Sequence, residues 1–255
     1  VDQITAAGCV LNKVEGMNIN YMAYNTDVLT DPEVRKALSQ AINVPELVES
    51  LYRGYASEAT TILPSFVPGY SSDVHQVSYD PEAAQATLAE KGVTDIYMVA
   101  YTNPRPYNTA TGQTLAEAIQ GYWAKVGVNC RIDTFDWTSY IDKCNTGDFD
   151  VCLFGWTGDN GDPDNFLNLL ANEDIGINVA HYKNDEYNAM LAEAVSLPNG
   201  DERNALYGEM EQKLADECVW LPISHQESLS AYVSNVHNFI FHPTGNVYLS
   251  KTYKY

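Results

Sequence analysis

The sequence predicts an α/β fold in which a mixed, largely parallel sheet is flanked by helices and followed by a strand-rich C-terminal tail. Between residues 95 and 157, segments alternate in a strand-helix-strand-helix-strand order. That order is typical of parallel strands connected by helices that pack on the sheet. Asp-Pro pairs mark two helix starts. From Val219 onward, the chain changes to short strand-like segments separated by turns.

The N-terminal part contains one predicted strand and two predicted helices. "MNINYMAYN", from Met17, alternates in the manner of a half-buried strand. Asp31 and Pro32 are typical of the cap and the first position of a helix, and a second helix, "PELVESLYRG", is closed by Gly54. Residues 55–79 are predicted to be loop, because proline and glycine interrupt any regular pattern there.

The central part supplies the alternating run. The second Asp-Pro start is at Asp80, and its helix ends at Gly92. A strand at 95–101 is followed by the loop "TNPRPYN" and by a long helix that ends at Gly127. The remaining predictions are the strand "VNCRIDTF", the helix "WTSYIDKCNTG", the strand "FDVCLFGW", helices around 185–195 and 201–217, and the tail strands "WLPIS", "SAYVS" and "NFIFHPTGNVYLS".

The composition is that of a folded and strongly acidic protein. Hydrophobic residues make up 45% of the 255 residues, and 14 Lys+Arg against 34 Asp+Glu give a formal net charge of -20. A surface this acidic repels phosphate groups, which argues against nucleic acid and anionic lipid as partners. No apolar run approaches the roughly 20 residues that span a bilayer, and the first residues do not have the pattern of a signal peptide.

The five cysteines form no recognisable metal or disulfide pattern. Cys9, Cys130, Cys144, Cys152 and Cys218 contain no CxxC pair and no zinc-type spacing with histidine. An odd number leaves at least one thiol unpaired, so a disulfide framework is not expected. Cys130 and Cys152 lie in predicted strands, where a free cysteine behaves as a small buried hydrophobic residue.

An acidic segment, "FGWTGDNGDPDNF" at residues 154–166, includes the end of the last strand of the alternating run. It does not fit a calcium-binding EF-hand, because no glycine follows Asp164 and no glutamate closes the loop. Asp162 and Pro163 instead predict a helix start, and loss of such a cap lowers stability by about 1 kcal/mol. Asp159 has no capping role. It lies just past the carboxyl end of a strand, where open α/β sheets bind ligands.

The loop "TNPRPYN" occupies the equivalent position after the strand at 95–101. Its two prolines restrict the backbone on either side of Arg105. If both strands are parallel, Arg105 and Asp159 emerge at the same edge of the sheet. Arginine binds carboxylates and aspartate accepts from ammonium groups, so the pair suits a small zwitterion, with Tyr107 and Trp156 as apolar walls. On spacing alone, the two charges could also pair with each other or remain solvated.

Several motifs carry a family resemblance: "PRPYN", "YWAKVGVNCRIDTFDWTSY", "GWTGDNGDPDNF", "GMNINYMAYNT" and "DPEVRKALSQAIN". They resemble the dipeptide-binding proteins of ABC importers, in extracellular solute-binding protein family 5. The resemblance implies a lobe of the type II periplasmic-binding-protein fold, in which Asp159 holds the α-amino group of the ligand and Arg105 its α-carboxylate. The implied ligand-binding residues are Arg105, Tyr107, Trp156, Thr157, Gly158 and Asp159.

The resemblance covers only the C-terminal half of the family's usual length. It implies that residues 1–229 form the ligand-binding lobe and that residues 230–255 return toward an N-terminal lobe absent from this chain. The implied partners are a short peptide, the membrane permease of an ABC importer and that missing lobe, and no cofactor is implied. The implied location is the periplasm or, for a lipoprotein, the cell surface. One departure is "LANEDIGINVAHYKN", which lacks the cysteines that form a disulfide in some relatives.

Three alternatives remain open. Within the family, the ligand could be an oligopeptide, nickel, haem or a sugar. The 18 tyrosines suit a structural or interaction module. A hydrolase would use paired carboxylates, although no G-x-S-x-G or H-E-x-x-H motif is present, and caps and turns explain acids at such element boundaries. The candidate carboxylates for such a hydrolase are Asp133, Asp136, Asp142, Asp148 and Asp150. The two histidines of the tail, His237 and His242, suit packing there better than metal binding.

Overall fold

The structure is a computed structural model that describes residues 2–172 and 177–255. Residues 173–176, within the segment "LANEDIGINVAHYKN", lie outside the described residues. The strands are β1 (Cys9–Glu15), β2 (Asn18–Tyr24), β3 (Ala56–Glu58), β4 (Asp95–Tyr101), β5 (Asn129–Phe135), β6 (Val151–Thr157), β7 (Trp220–Val233), β8 (Val236–His237), β9 (Ile240–Phe241), β10 (Val247–Tyr248) and β11 (Tyr253–Lys254). The helices are α1 (Asp2–Ala6), α2 (Pro32–Gln40), α3 (Val44–Tyr52), α4 (Pro81–Glu90), α5 (Gly112–Lys125), α6 (Trp137–Thr146), α7 (Asp164–Ala171), α8 (Asp185–Ser196) and α9 (Asp201–Asp216).

The main sheet is mixed, as predicted. Its strand order is β1-β7-β2-β6-β4-β5, with β3 also paired to β7. Strand β4 is parallel to both β5 and β6, which confirms the alternating run predicted from the sequence. Strand β2 is antiparallel to both β6 and β7, so β4, β5, β6 and β7 all point the same way. The carboxyl ends of β4 and β6 therefore lie at one edge of the sheet.

Local capping chemistry confirms the two predicted Asp-Pro helix starts. Asp31 Oδ1 accepts the backbone N–H of Glu33 at 2.9 Å, and Pro32 opens α2. Asp80 Oδ1 accepts the backbone N–H of Ala83 at 2.9 Å at the start of α4. Each cap satisfies an N–H group that has no partner within the helix. These helices are thus fixed by residues that are close in sequence.

Strand β2 is buried along its whole length, so the prediction of a half-buried strand is wrong. It lies between β6 and β7 in the interior of the sheet. Its asparagines, Asn18 and Asn20, create the alternation in the sequence, but they are only 4% and 0% exposed. Asn18 Nδ2 donates to the Gln226 carbonyl of β7 and Asn20 Nδ2 to the Tyr52 hydroxyl of α3, whereas Asn20 Oδ1 has no partner among the described residues. Buried polar side chains are tolerated when such bonds satisfy them.

The predicted separate strands "WLPIS" and "SAYVS" are one strand, β7, which continues across residues 229 and 230. The intervening residues stay extended because His225 and Gln226 pair with β3, which lies in a segment predicted to be loop, and residues 227–229 pair with β1. The register against β2 shifts between Asn20 and Tyr21, where Tyr21 pairs with Pro222. Proline has no N–H group for the ladder, which accounts for an irregularity at this point.

The tail beyond β7 pairs with itself, β8 with β11 and β9 with β10. The ring of His237 stacks on Tyr253 with centroids 5.2 Å apart, and His242 packs against Tyr248 at 5.8 Å, so tail packing is confirmed for both histidines. The large hydrophobic side chains exposed in the tail are Ile240, Val247, Tyr248, Leu249, Tyr253 and Tyr255.

One hydrophobic core is built from buried residues between Met17 and Ile223. All five cysteines are free, and Cys130 and Cys152 are buried in β5 and β6 as predicted. Many tyrosines are core residues, which removes the main support for an interaction module; the largest fully buried ones are Tyr21, Tyr24, Tyr101, Tyr140, Tyr187 and Tyr207. None of the helices within residues 2–172 and 177–255 combines the length and hydropathy needed to cross a bilayer.

Candidate ligand-binding site

Two loops leave the same edge of the sheet. The Arg105 loop, residues 102–109, follows β4, and the Asp159 loop, residues 158–163, follows β6. Because β4 and β6 are parallel neighbours, the structure confirms that Arg105 and Asp159 emerge at one edge. Strand β2 begins at this edge, since Asn18 pairs with Thr157. Such an edge is where open α/β sheets bind ligands.

The Arg105 loop is a tight turn closed by its own backbone. Arg105 and Asn108 exchange two backbone hydrogen bonds, each 2.9 Å long. The guanidinium carbon of Arg105 lies 3.7 Å from the ring centroid of Trp137. Arg105 Nε is buried and has no hydrogen-bond partner. The guanidinium is thus held flat on an aromatic face and retains unused donors.

Trp137 is a site residue that the sequence analysis did not identify. It opens α6 directly after Asp136, whose carboxylate accepts the backbone N–H groups of Thr138 and Ser139. Its ring also stacks on Phe154 of β6, with centroids 5.9 Å apart. The only sequence signal was its position in a family-like motif, because its contact with Arg105 is made across the fold.

Tyr107 is more deeply placed than a simple pocket wall. It is 5% exposed, and its ring stacks on Phe154 with centroids 6.5 Å apart. The ring lies so close to Gly155 that a Cβ atom at position 155 would overlap it. Its hydroxyl lies beside the Arg105 guanidinium but forms no hydrogen bond within normal geometric limits. Burial raises the pKa of this hydroxyl well above its ordinary value, although the positive charge of Arg105 opposes the shift.

A chain of buried hydrogen bonds anchors the Arg105 loop to the sheet and to α3. Asn20 Nδ2 donates to the Tyr52 hydroxyl at 3.1 Å, and Tyr52 donates to Asn108 Oδ1 at 2.9 Å. Asn108 Nδ2 then donates to the Tyr101 hydroxyl at 2.9 Å. Asn108 is 0% exposed. Thr109 adds a 2.9 Å bond to Gln226 Oε1, so the loop is fixed from within the protein.

The Asp159 loop is fixed by different groups. Gly158 N–H donates to Met17 O at 2.7 Å, and a Cβ atom on Gly158 would lie 2.8 Å from the ring of Phe166. Thr157 Oγ1 is buried and has no hydrogen-bond partner. Asn165 Oδ1 accepts the indole N–H of Trp156, and the Trp156 side chain is half-buried beside the loop. Asp159 itself is exposed.

Asp162 acts as a cap and also as an ion-pair partner. Its Oδ1 accepts the backbone N–H of Asp164 at 2.9 Å, so it satisfies a helix-start donor as predicted, but Pro163 occupies the N-cap position and Asp162 lies one residue before it. Both carboxylate oxygens accept from Arg203, at 2.9 Å each. Partial burial raises the pKa of Asp162, but the bonds from Arg203 and from the Asp164 backbone have the larger combined effect and lower it below its ordinary value. Arg203, from α9, was not identified from the sequence.

Arg105 and Asp159 do not pair with each other. The ion pairs within residues 2–172 and 177–255 involve other residues, so this alternative from the sequence is wrong. The two charges instead stand on adjacent loops without a counter-ion from the described part of the chain. That arrangement leaves both free for an external group of opposite charge.

The carboxylates considered for hydrolysis have structural partners in most cases. Asp133 pairs with Arg131, and Asp148 pairs with Lys143. Asp150 Oδ2 accepts the backbone N–H of Tyr97 at 2.7 Å. Asp136 caps α6. These contacts account for the acids as parts of the fold and give the hydrolase alternative no support.

Comparison with known proteins shows the family. Residues 2–177 match the sequence model of the bacterial extracellular solute-binding proteins, family 5 middle region. The chain belongs to the family 5 bacterial extracellular solute-binding proteins. It is 33% identical over 243 residues to the heme-binding protein A of Haemophilus influenzae, covering 91% of this chain and 43% of that protein. It is 32% identical over 243 residues to the dipeptide-binding protein of Escherichia coli K12, covering 92% of this chain and 45% of that protein.

Solved structures agree with the fold. HbpA2 from Haemophilus parasuis matches with a TM-score of 0.92 and 28% identity, covering 100% of this chain and 52% of that one. The dipeptide binding protein from Pseudoalteromonas sp. SM9913, in complex with Met-Leu, matches with a TM-score of 0.88 and 26% identity, with the same coverage. These likenesses confirm the predicted type II periplasmic-binding-protein lobe. The chain spans about half the length of the relatives it matches.

Proposed function

We propose that this chain is the ligand-binding lobe of a solute-binding protein that captures short peptides, foremost dipeptides, through their charged termini and performs no chemistry on them. The observation that carries the proposal is the geometry of Arg105 and Asp159. They stand on adjacent loops at one sheet edge, and neither has a counter-ion among the described residues.

The state of each charged group favours a zwitterionic ligand. A peptide carboxylate that reached Arg105 would pair with a half-buried guanidinium that has no counter-ion among the described residues. An ammonium group would meet the exposed carboxylate of Asp159. A short peptide carries both groups at a limited separation, whereas a sugar or a metal ion has no need of both. Trp156 and Tyr107 would line the apolar part of the site, with Thr157 and Gly158 completing it.

In this proposal, the whole protein consists of two lobes and delivers its ligand to the membrane permease of an ABC importer, in the periplasm or at the cell surface. Residues 1–229 would form this lobe, and residues 230–255 would return toward the second. On this lobe alone the charged contacts face solvent, where each is worth about 0–1 kcal/mol. The chain alone should therefore bind dipeptides at best in the millimolar range, since association entropy offsets so small a gain.

Haem is the second candidate ligand, favoured by a specific likeness. The relative named heme-binding protein A is 33% identical to this chain, and HbpA2 matches the structure with a TM-score of 0.92. A haem carries two carboxylates and no ammonium group, so it would use Arg105 but would leave Asp159 without a partner. The two candidates therefore differ in their need for the aspartate.

The test is calorimetric titration of the full-length protein that contains this chain. Met-Leu, N-acetyl-Met-Leu and Met-Leu amide are compared, and haemin is titrated in parallel by absorbance. Free Met-Leu should bind roughly 30-fold or more tightly than either blocked peptide, because each block removes one terminal charge. Asp142→Asn, which neutralises an exposed carboxylate on α6, is the control and should bind as the wild type does. Equal affinity for free and blocked peptides would refute the proposal, and haemin binding alone would favour the second candidate.

A further inference from the structure

Asn165 connects two of the proposed binding residues. It lies in the first turn of α7, and its Oδ1 accepts the indole N–H of Trp156 at 3.1 Å and the backbone N–H of Asp159 at 2.9 Å. Its Nδ2 lies 3.5 Å from Asp159 Oδ2. One side-chain amide thus contacts an aromatic wall and both the backbone and the carboxylate of the anionic residue.

The orientation of this amide is fixed by its partners. Two N–H groups point at the same atom, so that atom must be the acceptor oxygen, since an NH₂ group there would face two donors. The NH₂ group is then directed toward the Asp159 carboxylate. A leucine would leave two N–H groups without partners. An aspartate would accept both but would place a second negative charge beside Asp159.

Asn165 is itself held by the fold. Its backbone N–H donates to Asp162 O at 3.1 Å, and the next residue, Phe166, is fully buried in the core. The side chain therefore reaches back from a fixed helix to a loop that is exposed at Asp159. A group fixed by the fold that hydrogen-bonds an exposed residue reduces the ordering needed when a ligand binds.

We infer that Asn165 is a positioning residue, which sets the rotamer of Trp156 and the direction of the Asp159 carboxylate before a ligand amino group arrives. The inference rests on the proposed function for its ligand, but the order that Asn165 imposes on the loop is independent of any ligand. Asn165 acts through Asp159 and Trp156 and needs no ligand contact of its own.

The first arm of the test needs no peptide. ¹⁵N relaxation is measured on this chain for the amide of Asp159 and the indole of Trp156 in the wild type, Asn165→Ala, Asn165→Asp and the control Asn168→Ala. Asn168 lies one turn further along α7 and contacts Asp164 instead of the loop. Both probes should gain mobility in Asn165→Ala and stay ordered in Asn165→Asp, which keeps the acceptor oxygen. Unchanged order in Asn165→Ala would overturn the inference.

The second arm measures Met-Leu and N-acetyl-Met-Leu affinity in the full-length protein. Asn165→Ala should weaken Met-Leu by about 5- to 20-fold, the effect of lost hydrogen bonds, and the acetylated peptide much less. In an Asp159→Ala background the same substitution should have little further effect, because the group it positions is gone. Additive losses, or equal losses for both peptides, would show a general structural role and overturn the inference. If the wild type binds no peptide, the proposed function fails and the relaxation arm alone decides the role of Asn165.

Discussion

The Arg105 loop and the Asp159 loop follow neighbouring parallel strands, yet they are held in different ways. The Arg105 loop is anchored from inside by neutral groups, with Asn108 fully buried between the hydroxyls of Tyr52 and Tyr101. The Asp159 loop is anchored from its rim by the start of α7 and by the ion pair between Asp162 and Arg203. The difference is that one loop of the candidate site is held by neutral, fully buried groups and the other by polar and charged groups near the surface.

The physical reason lies in the two charges themselves. The guanidinium of Arg105 is partly buried and lies on Trp137, so its position depends on how its loop is anchored. A carboxylate such as Asp159 is well hydrated when exposed, and it needs only to be directed. We therefore expect loss of Asn108 behind Arg105 to affect folding, and loss of Asn165 behind Asp159 to affect binding.

The largest effect is expected for Asn108→Leu. It leaves the Tyr52 hydroxyl without its acceptor and the Tyr101 hydroxyl without its donor, both buried, and each such loss lowers stability by about 1–3 kcal/mol. Urea unfolding should show a free energy of unfolding lower by about 3–5 kcal/mol in total. Thr109→Val, which removes one bond at the edge of the same loop, should lower it by only about 1 kcal/mol. A small effect of Asn108→Leu would mean that the loop is not fixed from within.

The next effect concerns the two charges directly. In the full-length protein, Arg105→Ala and Asp159→Ala should each weaken dipeptide binding by about 2–5 kcal/mol, because each leaves a buried ligand charge without a partner. Asp159→Ala should change the free energy of unfolding little, since its carboxylate forms no ion pair within the described residues. Arg105→Ala should lower it by about 0.5–2 kcal/mol, because the contact with Trp137 is lost. Calorimetry and urea unfolding on the same samples separate the two quantities. Unchanged affinity in either variant would remove that residue from the site.

Asp162→Ala tests the ion pair that anchors the Asp159 loop. Capping alone predicts a loss of about 1 kcal/mol. The structure raises the expected loss of stability to about 2–3 kcal/mol, because the substitution also leaves Arg203, whose side chain is 8% exposed, without its counter-ion. The 38% exposure of Asp162 keeps this loss below that of a fully buried pair. Thermal unfolding checks the stability, and dipeptide affinity should fall much less than in Asp159→Ala. A stability loss confined to about 1 kcal/mol would show that the ion pair contributes nothing.

Whether a feature of the fold could be predicted from the sequence depends on how far apart in the chain the residues that determine it lie. The caps at Asp31 and Asp80 and the parallel strands β4, β5 and β6 were predictable, because neighbouring residues and short connections determine them. The burial of β2 and the continuity of β7 were not, since both depend on pairing between distant segments. Polar residues in β2 imitated a solvent-facing pattern while forming buried bonds.

The same distinction separates the residues of the candidate site that could be predicted from those that could not. Arg105 and Asp159 could be proposed because their loops follow two strands of one alternating run, and the topology places both at one edge. Trp137, Arg203 and Asn165 could not be assigned their roles. The contact of Trp137 with Arg105 and the bond from Arg203 to Asp162 join separate elements. Asn165 is close in sequence, but nothing in the pattern distinguishes it from an ordinary residue of a helix start.

Trp137→Leu is expected to have a smaller effect, on binding. The guanidinium of Arg105 lies 3.7 Å from the Trp137 ring centroid, and a contact of this kind is worth about 0.5–2 kcal/mol. Dipeptide affinity in the full-length protein should fall by a similar amount. Tyr97→Leu is the matched control, because it removes an aromatic ring 4.4 Å from the guanidinium of Arg131. Equal losses of affinity in the two variants would show that the Trp137 effect is not specific to Arg105.

The smallest expected effect is a difference in how the two loops respond to acid. The pKa of Asp162 lies below its ordinary value, so its carboxylate stabilises the fold above the pH at which an unfolded aspartate titrates. That stabilisation is lost as the pH falls through the folded pKa. The anchor of the Arg105 loop consists of an amide and of tyrosines whose pKa values burial raises, so it stays neutral from acid to neutral pH. ¹⁵N relaxation at pH 7 and at a pH below the folded pKa of Asp162 should therefore show that residues 158–163 gain mobility at the lower pH while residues 102–109 do not. Asp162→Asn should show the acid behaviour of its loop already at pH 7, because it cannot supply the charge that holds Arg203. If both loops gained mobility together in acid, the ion pair could not be what distinguishes the Asp159 loop from the Arg105 loop. The same would follow if the mobility of residues 158–163 in the variant still changed between these two pH values.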